Sequence, residues 1–221
     1  MPMLLAIETA TNVCSVAFCN DEGSTYEQRV EERGTHSETL FRFIEQLKQD
    51  HGFIVRELEA VLLSQGPGSY TGLRIGASAV KGLLFDTEVP LYGINTLASF
   101  AMQAFSNNDD LQTIHSIIDA RRVHVYHQQF DVKDGILSTN DEVEVIPIEG
   151  FEGMVRKGDA IIGTGLPRIN DQVTNKTTTF GADAITAKSL IKLYQAGAEP
   201  FIEQASPASY EPKYYTSNQV R

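Results

Sequence analysis

Apolar residues in the first hundred positions fall into short unbroken runs and two amphipathic stretches. Met3 to Thr9 and Val13 to Phe18 are near-continuous apolar runs around the polar turn Ala10-Thr11-Asn12, and Thr25 to Val30 supplies a third strand. Leu40, Phe43, Ile44 and Leu47 then recur at i, i+3, i+4 and i+7, the helical period. Thr35 followed by Glu38 has the form of a capping box, with Thr35 at the N-cap, and Gly52 stands where a C-terminal cap belongs. Ala60 to Ser64 reads as a buried strand, Gly72 to Phe85 as a helix and Leu91 to Ile94 as a short strand. A further helix runs from Thr96 to about Phe105. The order is β-β-β-α-β-α-β.

A second block follows the polar tract Ser106-Asn107-Asn108-Asp109-Asp110. Thr113 to Ile118 and Val123 to Phe130 read as strands joined by the tight corner Asp119-Ala120-Arg121-Arg122. Glu142 to Ile146 and Ala160 to Gly163 are two more, and Ala184 to Ala196 is a helix ended by Gly197. The β-then-α plan thus appears twice. It predicts an α/β chain of two lobes, residues 1–105 and 106–205, with a Tyr-, Pro- and Ser-rich tail over 206–221.

Composition narrows the function classes. With 221 residues, 42% of them apolar and 21% charged, the chain can bury a core as one large domain or two small ones. No apolar run approaches the ~20 residues of a membrane span. The start MPMLLAIETA lacks a basic leader, so neither a membrane nor a secretory role is expected and the location expected is cytoplasmic. Cys14 and Cys19 match no zinc spacing and read as free thiols. Acids outnumber bases 29 to 18, giving a formal charge of −11, and no short window is strongly basic. Gripping nucleic acid unaided requires a positive field. A role on RNA would therefore run through a partner that holds it.

The chemistry concentrates at Gly66 to Gly76, GPGSYTGLRIG, between a strand and a helix. Such a turn aims backbone N–H groups at a helix N-terminus, which suits an anion or a closely approaching chain. No Lys-Ser or Lys-Thr follows the last loop glycine, so it is no Walker A loop, and Thr71 stands where the dinucleotide fingerprint requires glycine. Thr9, Thr11, Gly66, Gly68 and Ser69 are candidate nucleotide or anion ligands, with Glu8 beside them, although an ordinary hairpin shows the same features. His36, His51, His115, His124 and His127 are scattered, and no HxxxH or HxxEH pair occurs, so no metal site is expected. Ser37 beside His36 makes no nucleophile pair, because adjacent helical residues face apart. On the second helix Leu73, Ala77, Val80 and Leu84 line one stripe, and Gly72, Gly76, Ala79 and Leu83 a neighbouring one. Gly76 and Gly82 each cost ~1 kcal/mol against alanine. Something packs close to that face, either a neighbour within the chain or another subunit.

GPGSYTGLRIG, the opening MLLAIETATNVCSVAF, the run HSETL and the segment DARRVHVY occur together in this chain. Together they resemble the bacterial TsaB (YeaZ) family. The resemblance implies a two-lobe actin-like or sugar-kinase-like (ASKHA) fold built from duplicated ribonuclease-H-like lobes. It implies a non-catalytic relative of TsaD acting in tRNA threonylcarbamoyladenosine synthesis. Such a protein docks on a TsaD-like transferase through N-terminal-lobe helices, a TsaE-like ATPase joins them, and it forms a homodimer when alone. On this footing Leu40, Phe43, Ile44, Leu47, Gly72, Gly76, Ala79 and Leu83 are the candidate partner-binding residues. No cofactor is expected for the chain itself, with a nucleotide at the partner interface as the candidate exception. A stand-alone ATP-dependent kinase or phosphatase of the same fold and a homodimeric binding module are the competing readings. The chain departs from the family pattern at Glu8 (usually Asp), Val123 (usually Gly) and Tyr215-Thr216 (usually Leu-Arg).

Overall fold

The computed structural model describes residues 1–215 and divides the chain into two compact units. The first comprises Met1–Asn95 with Thr186–Lys213, and the second Thr96–Ile185 with Tyr214 and Tyr215. Thr216, where the family arginine would stand, lies outside the described residues.

In the first unit β1 (Leu4–Glu8), β2 (Val13–Cys19) and β3 (Thr25–Glu31) form an antiparallel meander, with Glu8 opposite Ser15 and Val13 opposite Glu31. After α1 (His36–His51), β4 (Ala60–Gly66) returns parallel to β1, pairing Leu4 with Ala60. After α2 (Tyr70–Leu83), β5 (Leu91–Asn95) lies parallel to β4. Every residue of β1 and β4 is buried, which is why both read as unbroken apolar runs rather than alternations. Leu5, Ile7, Val16, Phe18, Val61 and Leu63 share one cluster with Leu40, Phe43, Ile44 and Leu47 of α1 and with Ala77, Ala79 and Val80 of α2.

The second unit repeats this plan. After α3 (Thr96–Asn107), β6 (Thr113–Asp119) and β7 (His124–Lys133) are antiparallel, and β8 (Ile136–Ser138) and β9 (Glu144–Pro147) both pair antiparallel with β7. Beyond α4 (Ile148–Met154), β10 (Ala160–Ile162) runs parallel to β6. Then, past α5 (Asp171–Thr174), β11 (Thr178–Phe180) runs parallel to β10. The path β11-β10-β6-β7-β8 matches β5-β4-β1-β2-β3 strand for strand and sense for sense. This duplicated ribonuclease-H-like topology is the fold that the resemblance implied.

The first unit gains one strand. After α6 (Lys188–Gln195), β12 (Ile202–Ala205) pairs antiparallel with β5, Ile202 opposite Ile94. The lobe boundaries expected at 105 and 205 move accordingly. Helix α3 packs on β6, β7 and β10 of the second unit, whereas α6 packs on β1, β2 and β4 of the first. Periodicity fixes that a helix has an apolar face, but not which sheet receives it.

Two local expectations also shift. Thr35 is the N-cap of α1, but its backbone is already helical (φ −96°, ψ −6°) and its side chain makes no capping bond. The hydroxyl instead points back to the Glu32 carbonyl at 3.4 Å, so the capping box is absent. Gly52 caps the other end as expected, at φ 70°. The last helix begins at Lys188 rather than Ala184, because Ile185 is extended and separates it from the short 3₁₀ turn Ala182–Ala184. Among the described residues no helix is long and apolar enough to cross a membrane.

Candidate functional site

Strand β1 ends in Glu8, whose side chain is fully buried. Its Oε1 accepts the Ala10 N–H at 2.6 Å, so the carboxyl group folds back over its own turn, and Oε2 has no partner. Burial pushes the Glu8 carboxyl up to about 8, against the smaller opposing pull of the Ala10 N–H and the Ser64 hydroxyl. At neutral pH the group is a neutral acid. The N–H of Thr9 donates to Ser64 Oγ at 3.2 Å, and Thr11 Oγ1 accepts the Val13 N–H at 3.1 Å.

The glycine loop closes on this hairpin tip. Ser69 donates its N–H to the Ala10 carbonyl at 2.6 Å and caps α2 by accepting the Gly72 N–H at 3.3 Å. A Cβ on Gly68 would overlap the Ala10 carbonyl, and one on Gly72 the Thr9 carbonyl. Gly66, at φ 115°, lies against the backbone of Lys213, whose N–H donates to the Gln65 carbonyl at 2.8 Å. The fold therefore brings Thr9, Thr11, Gly66, Gly68 and Ser69 together, but as a backbone junction. The N–H groups that an anion would use at Thr9, Ala10, Ser69 and Gly72 are engaged within the chain. Of the two chemistries that the loop offers, these contacts realise the closely approaching chain.

The small-residue face of α2 has the same explanation. A Cβ on Gly76 would sit 2.5 Å from Thr9 Oγ1 and 2.9 Å from Leu63 Cδ1. Gly72 and Ala79 are buried, and Leu83 is half-buried against the core. On α1, Leu40, Phe43, Ile44 and Leu47 are 8% exposed or less. Seven of these eight residues lie in the interior of their own lobe, and Leu83 keeps part of its side chain at the surface. The physical reason is that the apolar arc of α2 is wide enough to reach both the sheet and α1.

The outer faces of the same helices carry apolar surface that the helical period did not single out. Phe41 of α1 is 49% exposed, Tyr70 at the start of α2 is 55% exposed and Phe85 just past its end is 82% exposed. Arg74 stacks on Tyr70, its guanidinium 4.4 Å from the ring centroid. Tyr70, Arg74, Ser78, Lys81 and Phe85 follow one outward stripe by helical spacing. Gly82 lies beside it with no atom within 4 Å of the position a Cβ would take.

In the second unit two of the scattered histidines meet. His115 Nδ1 lies 3.1 Å from His127 Nε2, and His115 Nε2 lies 3.1 Å from Asp159 Oδ2, with both rings buried. Asp159 Oδ2 also accepts the Arg156 N–H at 2.7 Å. A carboxylate can only accept, so His115 carries its proton on Nε2 and His127 donates from Nε2 to His115 Nδ1. Burial lowers both rings' affinity for a further proton, opposed by Asp159 at His115, and holds His127 down to about 3 with the charge of His115 adding to it. Ile117 stands opposite His127 in the β6–β7 ladder, so pairing across the hairpin brings the rings together. Sequence spacing carried no sign of that register. Among the described residues no group of three or more His, Cys, Asp or Glu side chains is arranged to hold a metal ion.

The profile of the family described as TsaD: tRNA N6-adenosine threonylcarbamoyltransferase matches residues 31–213. The chain belongs to this family, as one of its TsaB (YeaZ) members. It is 28% identical to the tRNA threonylcarbamoyladenosine biosynthesis protein TsaB of Haemophilus influenzae, over 98% of this chain and 94% of that protein. The TsaB of Escherichia coli is 30% identical over 65% of this chain and 61% of its own length. Among solved structures, YeaZ from Pseudomonas aeruginosa superposes with a TM-score of 0.79 at 24% identity, covering 97% of this chain and all of that one. The TsaB family thus spans both units, and the loop, the α1–α2 face and the second-unit hairpin all lie inside the matched region.

Proposed function

We propose that this chain is the non-catalytic subunit of a complex that makes threonylcarbamoyladenosine in tRNA. It would bind and activate a TsaD-like threonylcarbamoyltransferase acting on the adenosine beside the anticodon. The observation that carries this reading is the match to a protein named for that biosynthesis over nearly the full length of both chains. The non-catalytic assignment is supported by the sequence, which lacks an HxxxH pair, and by the glycine loop, whose Ser69 N–H is engaged by the hairpin carbonyl of Ala10. A TsaE-like ATPase joins the assembly, and the chain works in the cytoplasm. The net charge of −11 supports an arrangement in which the transferase, rather than this chain, supplies most of the grip on tRNA.

The docking surface is the outer α1–α2 face, with Phe41, Tyr70, Arg74 and Phe85 as its anchors, in place of the residues that fill the lobe interior. Exposed aromatics beside an arginine are the side chains that dominate interface energies. In the absence of the transferase the same face would join two copies of the chain. Binding there activates the enzyme by favouring one of its conformations over another.

Reconstitution tests the reading. Light scattering and a tRNA modification assay are run on this chain, on a TsaD-like enzyme with an adenylate-forming enzyme, and on the mixture. The expected result is a heteromeric complex, and modification only in the mixture. Modification by this chain without the TsaD-like enzyme overturns the non-catalytic assignment. Failure of the two proteins to associate overturns the partnership.

A further inference from the structure

We propose that the β6–β7 corner is an RNA contact, at which Arg121 and Arg122 hold the tRNA phosphate backbone. The inference rests on the function proposed above and gives this chain a direct, local share in binding the substrate.

The corner is built at a cost. Ala120 donates to the His124 carbonyl at 3.2 Å and His124 to the Arg121 carbonyl at 3.1 Å, closing a tight reversal. Arg121 and Arg122 both occupy the left-handed region, at φ 69° and 51°. The hydrogen-bonded turn runs from Arg121 to His124, and its two left-handed positions are ones that Gly, or Asn among the L residues, fills most cheaply. Other L residues cost roughly 1–2 kcal/mol each there. Two arginines stand at these positions, and both are exposed.

The charge at the tip is uncompensated. Asp119 Oδ1 accepts the Arg121 backbone N–H at 2.8 Å and pairs with the Arg168 guanidinium, which also donates to the Arg122 carbonyl. Arg168 therefore neutralises Asp119. Among the described residues neither the Arg121 nor the Arg122 guanidinium forms an ion pair. Glu149 lies in the first turn of α4, whose Ile148 N–H donates to the Val123 carbonyl at 2.9 Å, yet among the described residues it pairs with neither arginine. Asp131 and Asp134 lie at the far end of β7. Two arginines without an ion pair among the described residues thus stand at one turn of a chain that carries −11 overall.

The surroundings favour a polyanion over an acidic peptide. Val125 to His127 of β7 are paired on both sides, with β6 and with β9, and His124 pairs with β9 and closes the turn onto Ala120, so no strand edge is open there to an added peptide strand. Val123, 62% exposed, is the one large apolar side chain at the tip and makes no groove. Guanidinium forks with no apolar pocket suit phosphate oxygens.

The test replaces both arginines by residues that accept a left-handed backbone, Arg121→Asn with Arg122→Gly. This variant removes the charge while easing the backbone. It should keep its association with the TsaD-like enzyme and melt at the same temperature or higher. The complex should bind tRNA more weakly by on the order of tenfold at physiological salt. The slope of log K against log salt should shrink by about 1 for each phosphate that the variant no longer neutralises. Unchanged affinity and slope in the assembled complex overturn the proposal, and so does an earlier melt, which would make the arginines supports of the fold. If the wild-type proteins do not associate, the proposed function fails, and photo-crosslinking of the isolated chain to a tRNA anticodon stem-loop at low salt decides this inference. Crosslinks at Arg121 to Val123 support it. Crosslinks only elsewhere, or protection of the corner by poly-glutamate and not by the RNA, overturn it.

Discussion

Two buried titratable sites pull the stability of this protein in opposite directions with pH. Glu8 holds its proton up to about 8 in the folded chain, against an ordinary value of 4.5, so folding binds a proton that the unfolded chain has already released. Its stabilising share is complete below about 4.5 and is lost as pH rises through about 8. Glu8→Gln keeps an acceptor for the Ala10 N–H and cannot ionise. The variant should match the wild type near pH 5 and melt higher than it near pH 8 to 9, as read by thermal scans across that range. His127 behaves in the reverse sense. Its folded pKa falls from 6.5 to about 3, so its share is complete above about 6.5 and is lost as pH falls through about 3. His127→Phe leaves His115 Nδ1 without its donor and should cost ~1–3 kcal/mol at pH 7. It should also flatten the loss of stability below pH 6, and amide exchange should place that change in the second unit, away from Glu8. Neither site was legible beforehand. Glu8 read as an ordinary hairpin acid because burial at a strand end leaves no trace in spacing, and the two histidines meet only through a ladder register.

At the level of elements, the two glycines of α2 separate close packing from open surface. Gly76 faces Thr9 and Leu63, and a leucine there has no room. Gly76→Leu should overpack the lobe, cost ~1–3 kcal/mol and lower the melting temperature of the isolated chain. Gly82→Ala meets nothing and should instead raise stability by up to ~1 kcal/mol through helix propensity. Equal effects of the two substitutions would undo the distinction. The strands and helices around them were readable from apolar runs and the helical period, and Gly52 from its place after the last periodic residue. The capping box was not realised, because Thr35 adopts a helical backbone that turns its hydroxyl away. Strands β8, β11 and β12, of three or four residues, are too short for a period to register and exist only because a neighbouring strand offers its edge. The glycine spacing on α2 announced a close approach correctly. It could not say that the approaching chain was the protein's own hairpin, because two surfaces with the same steric demand write the same residues.

For the whole molecule, the decisive question is which surface remains once each lobe has filled its own interior. The folded chain consumes the apolar arcs of α1 and α2 that the sequence offered to a partner, and leaves Phe41, Tyr70 and Phe85 outside. An isolated aromatic on a surface needs no explanation, but the docking face proposed above draws on three exposed aromatics of α1 and α2 and on an arginine stacked on one of them. Phe41→Ser combined with Phe85→Ser removes two of them without touching the core. Exposed substitutions of this kind usually change stability by no more than ~0.5 kcal/mol, so the melting temperature of the isolated chain should hold. If the face docks a TsaD-like transferase, each missing anchor costs ~2 kcal/mol or more of association, about thirtyfold for either one alone and more for the two together. Modification of tRNA by the mixture should fall with it and recover when the variant is supplied in excess. A variant that melts normally and still forms the complex at wild-type concentrations would move the docking surface away from α1 and α2. A variant that melts early would mean that Phe41 and Phe85 hold the lobe together in spite of their exposure.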